Sequence, residues 1–214
     1  MIDIILSVLN KLEIENYIIN DTQTESVELF FIKKILDMRR CKDVHTYDVT
    51  VFNDFEKDND KKRGSSSAII HPSMTQKEVK VALLEAYYSA SFVSNPYFKL
   101  PDACIEPKVE MKSSLSNYSL SEAAGKISEA LFDADIYENV FINSAEIFVN
   151  KITQYILSSE GTDVGYTKYN INGEYVAQCI TPQDVELHEI FSYDDLETKA
   201  LTKKVSESLK DFHL

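Results

Sequence analysis

One pattern limits what this chain can fold into: a strand-rich stretch closed by a single capped amphipathic helix, written twice. The helix starts are the sharpest part of it. Thr75-Gln-Lys-Glu78 and Ser119-Leu-Ser-Glu122 each place a hydroxyl three residues before a glutamate. The hydroxyl can accept from the glutamate amide while the carboxylate reaches back to the hydroxyl residue's own amide, which is a capping box. After the first box, Val79, Ala82, Leu83, Ala86, Tyr87 and Ala90 recur at helical spacing. After the second, Ala123, Ala124, Ile127, Ala130, Leu131 and Ala134 do the same, as a stripe of mostly small residues that permits close packing.

The segments around these helices carry strand patterning. Residues 17–20 are short and β-branched, residues 26–32 alternate Val27, Leu29 and Phe31 with Glu28 and Phe30, and residues 44–52 alternate Val49 and Val51 with Asp48 and Thr50. Period two suits strands with one face on a core. Residues 54–67 are polar, and predict an exposed hairpin tip whose basic run Lys61, Lys62, Arg63 is a solvated loop; residues 68–71 return as a strand. In the second half, strands are expected at 140–150, 153–158, 164–170 and 175–180, with turns at Glu160-Gly161 and at Asn172-Gly173, a strong type I′ hairpin signal. Residues 185–190 alternate again. Ser192 then predicts the cap of a last helix, with Asp194, Asp195 and Glu197 in its first turn and Leu196, Ala200, Leu201, Val205, Leu209 and Phe212 as its buried stripe. An opening helix is predicted from Ile2, Ile5, Leu6, Leu9 and Leu12.

Together these imply an α+β fold: mixed, largely antiparallel sheets with helices packed on one face, and the strand-run-then-helix pattern occurring twice. The expected layout is a first lobe over residues 1–100, a linker over 101–118 with Pro101, Pro107 and a serine cluster, and a second lobe over 119–214.

Composition narrows the function. The net charge of −13 is lopsided, −2 over residues 1–100 and −11 over the remainder. Such a surface repels phosphates and anionic lipid, so neither nucleic acid nor membrane is an expected partner. Three scattered cysteines without a CxxC exclude a disulfide framework or zinc ribbon and point to a reducing, cytoplasmic setting. Residues 1–12 are too short to span a bilayer.

No catalytic constellation follows. His188-Glu189 resembles the start of a zincin motif, but the second histidine of HExxH or HExxxH falls on Ser192 or Tyr193. The pair also lies in a predicted strand, where positions i and i+4 do not converge. His45, His71 and His213 are scattered. Cys41 follows Arg39-Arg40, which could lower a thiol pKa, yet no base is placed beside it. There is no GxSxG, and five isolated glycines form no phosphate cradle. Tyr87, Tyr97, Tyr166 and Tyr169 could line a peptide groove, although ordinary packing explains them equally well.

The order of several segments resembles the N-terminal part of the TldD/PmbA family, proteins labelled modulators of DNA gyrase and regarded as zinc metallopeptidases. The segments are Glu25-Ser-Val-Glu-Leu-Phe-Phe, His45-Thr-Tyr-Asp-Val-Thr-Val-Phe, Gly64-Ser-Ser-Ser-Ala, Thr75-Gln-Lys-Glu-Val, Ala86-Tyr-Tyr-Ser-Ala and Tyr97-Phe-Lys-Leu-Pro101. A later turn, Ser158-Ser159-Glu160-Gly161, stands where the family commonly reads Asn-Ser-x-Gly, and Tyr193-Asp-Asp-Leu-Glu197 follows it. The resemblance implies a non-catalytic N-terminal domain that gates peptide access and supports assembly as a homo- or heterodimer. It implies no cofactor in this chain, because the HExxxH zinc motif belongs to a C-terminal peptidase domain that would begin about where this chain stops. A stand-alone acidic protein-binding module is the alternative.

Overall fold

A computed structural model describes residues 1–213 of the chain, with side chains through Asp211. In chain order the elements are α1 (Ile2–Lys11), β1 (Asn16–Ile32), β2 (Ile35–Lys57), β3 (Asp60–Ile70), α2 (Gln76–Ala90), β4 (Asn95–Pro96), β5 (Val109–Glu110), a 3-10 turn (Ser114–Asn117), α3 (Leu120–Phe132), β6 (Val140–Ser158), β7 (Asp163–Cys179), β8 (Val185–Tyr193) and α4 (Thr198–His213). The α+β class is as expected. The strands form one sheet in the order β4-β3-β2-β1-β6-β7-β5, and β8 pairs with β7.

Both capping boxes are present. Thr75 Oγ1 accepts from the Glu78 amide at 3.3 Å and the Thr75 amide donates to Glu78 at 2.7 Å; for Ser119 and Glu122 the distances are 3.2 and 2.9 Å. Each box holds its glutamate below the ordinary carboxylate range, through the Thr75 amide foremost at Glu78 and the Ser119 hydroxyl foremost at Glu122.

The compact units are not the two sequence halves. Unit 1 is Met1–Gln23, Val44–Val109 and Thr153–Thr167; unit 2 is Thr24–Asp43, Glu110–Ile152 and Lys168–Leu214. The reason lies in strand length. The short strands expected at 17–20 and 26–32 are one strand, β1, and those at 140–150 and 153–158 are one strand, β6, so β1, β2, β6 and β7 each contribute to both units. Unit 1 buries Ile5, Leu9, Ile19, Val49, Ile70, Val79 and Leu83 around α1 and α2. Unit 2 buries Leu29, Ile127, Leu131, Ile142, Ile147, Tyr175 and Leu201 around α3 and α4. Each such side chain contributes about 1.5–3 kcal/mol. The segment expected as a linker is not free of structure, since Leu115 in the 3-10 turn is 1% exposed.

Three local expectations are corrected. The polar run at 54–67 is a hairpin whose turn is only Asp58-Asn59, both at positive φ (56° and 62°), with Lys57 paired to Asp60. Asn172-Gly173 is not a turn: β7 runs through it, pairing Asn172 with Ser192 and Gly173 with Phe191. Glycine is needed there because a Cβ would sit 2.2 Å from the Phe191 ring and 2.6 Å from the Glu146 carbonyl. Ser192 is not a helix cap either. It lies in β8, donates to Asn172 Oδ1 at 2.9 Å, and α4 starts only at Thr198. Asp195 instead accepts from the Ser114 amide (2.6 Å) and hydroxyl (2.8 Å), which tie down the 3-10 turn. Leu201, Val205 and Leu209 are buried as expected, and the Phe212 side chain lies outside the described residues.

Candidate functional site

The chain's most concentrated chemistry is in unit 1, around Arg63. The hairpin register sets Arg63 on β3 opposite Asp54 on β2. The guanidinium donates from Nε and NH2 to the two Asp54 oxygens at 2.6 and 2.8 Å, a bidentate fork. It also donates to the Phe98 carbonyl at 2.9 Å and to Asn16 Oδ1 at 3.2 Å. Arg63 is 2% exposed, in contrast to the solvated loop expected for the run Lys61 to Arg63. The rings of Phe52, Tyr97 and Phe98 surround the cation, Tyr97 nearest at 4.7 Å, and Lys61 Nζ stands 3.7 Å from the Tyr97 centroid.

The fork also sets the electrostatics. The hydrogen bond to Asp54 raises the Arg63 pKa against the opposing effect of burial, and Tyr97 and Glu160 add to the rise. Asp54 is held below the ordinary carboxylate range, first by the Arg63 hydrogen bond. Arg63 therefore meets one residue singled out in the sequence, Tyr97 of the aromatic set, whereas Glu160 of the family-like turn acts on it through charge alone. Every donor of the fork is committed, so the cluster anchors the segment after α2 to the sheet and offers no free nucleophile or base.

The turn Ser158-Ser159-Glu160-Gly161 joins β6 to β7. Ser158 accepts from the Gly161 amide at 3.1 Å, and its hydroxyl accepts from the Thr162 amide at 3.2 Å. Ser159 exchanges two bonds with Tyr17, donating its amide (3.0 Å) and accepting at Oγ (3.2 Å). Gly161 has φ 92°, a conformation that favours glycine. Two further tyrosines of the candidate groove have separate partners within unit 1: Tyr87 packs on the core and Tyr166 donates to Gln154. Tyr169, in unit 2, donates to Glu110 at 3.3 Å, and burial followed by the Glu110 charge pushes its hydroxyl pKa up.

His188 and Glu189 do not form a metal half-site. His188 meets Glu174 at 3.3 Å, whereas Glu189 meets Lys204 of α4 at 2.8 Å, as neighbours in a strand point to opposite faces. No group of three or more histidine, cysteine, aspartate or glutamate residues able to hold a metal occurs among the described residues. Cys41 is exposed, but its basic neighbours are engaged elsewhere: Arg40 and Lys42 pair with Glu28, and Arg39 donates to Ser121. Burial works to raise the Glu28 pKa, and the hydrogen bonds from Lys42 and Arg40 outweigh it, leaving the carboxyl below its ordinary range. A cleft of about 850 Å³ lies in unit 2 between α3 and α4; it is rimmed by Lys126, Lys199 and Lys203 against Glu129 and Asp133. Among the described residues no helix is long and apolar enough to cross a membrane.

Fold and site thus define a class: an α+β domain built on one long-stranded sheet, whose richest polar cluster is an anchor. No described protein family and no curated protein matches the sequence. Solved structures do match the fold. TldE from Thermococcus kodakarensis superposes with a TM-score of 0.67 at 14% identity, over 97% of this chain and 47% of that one. A candidate modulator of a DNA gyrase from Thermotoga maritima gives 0.67 at 13%, over 97% and 46%. A candidate modulator of DNA gyrase from Bacteroides thetaiotaomicron gives 0.59 at 12%, over 97% and 49%. The resemblance to the TldD/PmbA family is borne out at the level of fold. The chain spans about half the length of these proteins.

Proposed function

We propose that this chain is the non-catalytic N-terminal domain of a TldD/PmbA-like zinc metallopeptidase, working in the cytoplasm to restrict peptide access to a peptidase domain and to support dimer assembly. The observation that carries the reading is the fold, which matches nearly all of this chain to less than half of TldE. The other half is where the family resemblance puts the HExxxH zinc site. His188 and Glu189 do not fit that metal, since they are turned apart and each has its own partner. The role left to this domain is positioning and exclusion. Its described chemistry suits that role, because Arg63, Asp54 and the turn at 158–161 fix loops to strands of unit 1. The test is calorimetric titration of this chain into a separately prepared HExxxH-bearing domain of the family. Saturable one-to-one binding is expected. No binding, together with tight binding to a basic protein, would replace the reading with that of an acidic binding module.

A further inference from the structure

One stretch of the sheet edge is left open. β2 lies between β1 and β3. β3 accompanies it only from Tyr47, which pairs with Ile70, onward. Residues 35–43, in unit 2, therefore have β1 on one side and no strand on the other among the described residues. Every residue of this stretch is exposed, Ile35 to 72%, Leu36 to 47% and Met38 to 44%. No proline or glycine interrupts it. An open edge presents a row of unpaired amides and carbonyls, and what fits such a row is another extended backbone.

The side chains are set as in a regular strand. Arg39 donates to Ser121 Oγ at the start of α3 at 2.6 Å, whereas Arg40 and Lys42 both reach Glu28, Lys42 at 2.7 Å. Neighbours thus point to opposite faces. The charges indicate what the guest carries. Residues 33–43 hold Lys33, Lys34, Arg39, Arg40 and Lys42 against Asp37 and Asp43, a balance of +3 in a chain of −13. Asp135 matches Lys34, Arg40 and Lys42 share the single Glu28 carboxylate, and Arg39 bonds a neutral hydroxyl, so positive charge is left over at the edge. A second copy is a poor occupant, because pairing edge to edge would lay one basic run against the other. A segment bearing carboxylates is a good one.

We propose that residues 35–43 are a docking edge for an unfolded, carboxylate-bearing polypeptide segment, which joins the sheet as an extra strand beside β2. The inference deepens the peptide-handling role proposed above and rests on that reading only for its purpose, which is to hold substrate extended at a place apart from the zinc-bearing domain. Its test reads peptide binding to this chain alone, so the edge and the peptidase reading can fail separately.

Fluorescence anisotropy of a labelled peptide of alternating valine and glutamate, as long as the open edge, should show saturable binding to the full chain at low salt. Hydrogen exchange read by mass spectrometry should show new protection at residues 35–43 in the complex. The same peptide with lysine for glutamate should bind at least about tenfold weaker, and Arg39→Glu should weaken the glutamate peptide roughly fivefold. Far-UV circular dichroism of Arg39→Glu should not move, because the residue is exposed. Two N-methylated glutamate peptides separate strand addition from any other mode of binding. A strand turns alternate residues' amides toward its neighbour, so methylating one alternate set should abolish binding and methylating the other should not. No binding, a lysine peptide that binds as well, equal loss with both methylated peptides, or protection outside residues 35–43 overturns the proposal. Protection of that stretch that rises with protein concentration in the absence of peptide overturns it in favour of a second copy.

Discussion

Replacing Arg63 with alanine should be among the most damaging single changes in unit 1. The substitution strands the Asp54 carboxylate, the Phe98 carbonyl and Asn16 Oδ1, and opens a void among Phe52, Tyr97 and Phe98. Breaking a buried pair from one side costs about 3–5 kcal/mol. The Asp54 side chain is 24% exposed, so water recovers part of its solvation and the lower end, about 3 kcal/mol, is expected at neutral pH. With a urea slope of about 2–3 kcal/mol/M, the midpoint should fall by roughly 1 M. The pH dependence follows from the depressed Asp54 pKa. Its contribution is complete above the ordinary value of 3.8 and is lost as pH falls through the lower folded value. The gap between parent and variant midpoints should therefore narrow as the solution is acidified below that value, leaving the part owed to the Phe98 carbonyl, Asn16 and the void among the rings. Urea unfolding followed by circular dichroism at several pH values measures this. A variant within about 1 kcal/mol of the parent at neutral pH, or a gap that persists unchanged in acid, would refute the reasoning.

Other changes test the local structure. Thr75→Ala and Ser119→Ala each remove a cap bond and should cost about 1 kcal/mol in urea unfolding, with the double variant near the sum because the caps lie in separate units. Gly173→Ala should destabilise by about 1–3 kcal/mol through its clash with Phe191 and Glu146, whereas Gly125→Ala, mid-helix in open space, should stabilise by about 0.5–1 kcal/mol; the same sign for both would contradict the packing. Duplex DNA should not bind at physiological salt, as a net charge of −13 opposes it; a salt-sensitive shift of labelled DNA would count against the reading.

Features encoded over three or four residues were legible in the sequence. The boxes at Thr75 and Ser119 and the stripes behind them depend on immediate neighbours, and the structure has them as read. What escaped depends on partners far along the chain. Asn172-Gly173 has the wording of a hairpin turn, yet its glycine serves the approach of Phe191, eighteen residues on in β8. The actual turn at Asp58-Asn59 sits in a polar run that looks like a loop, and the turn after β1 uses Lys33 at positive φ, which no turn preference announces. Arg63 was the costliest miss, though a signal existed. Once Asp58-Asn59 is taken as a two-residue type I′ turn, Asp54 and Arg63 fall opposite one another. Strand length was also hidden, because half-buried polar residues between Asp21 and Glu25 interrupt the alternation without interrupting β1.

The measurement closest to the central claim is peptidase activity with and without this chain. A separately prepared HExxxH-bearing domain of the family, loaded with zinc, should be assayed on an unfolded casein and on a folded protein of similar size. If the chain restricts entry as proposed, adding it should leave the unfolded substrate cleaved and suppress cleavage of the folded one. Rates on both substrates that do not change at saturating chain would contradict the account.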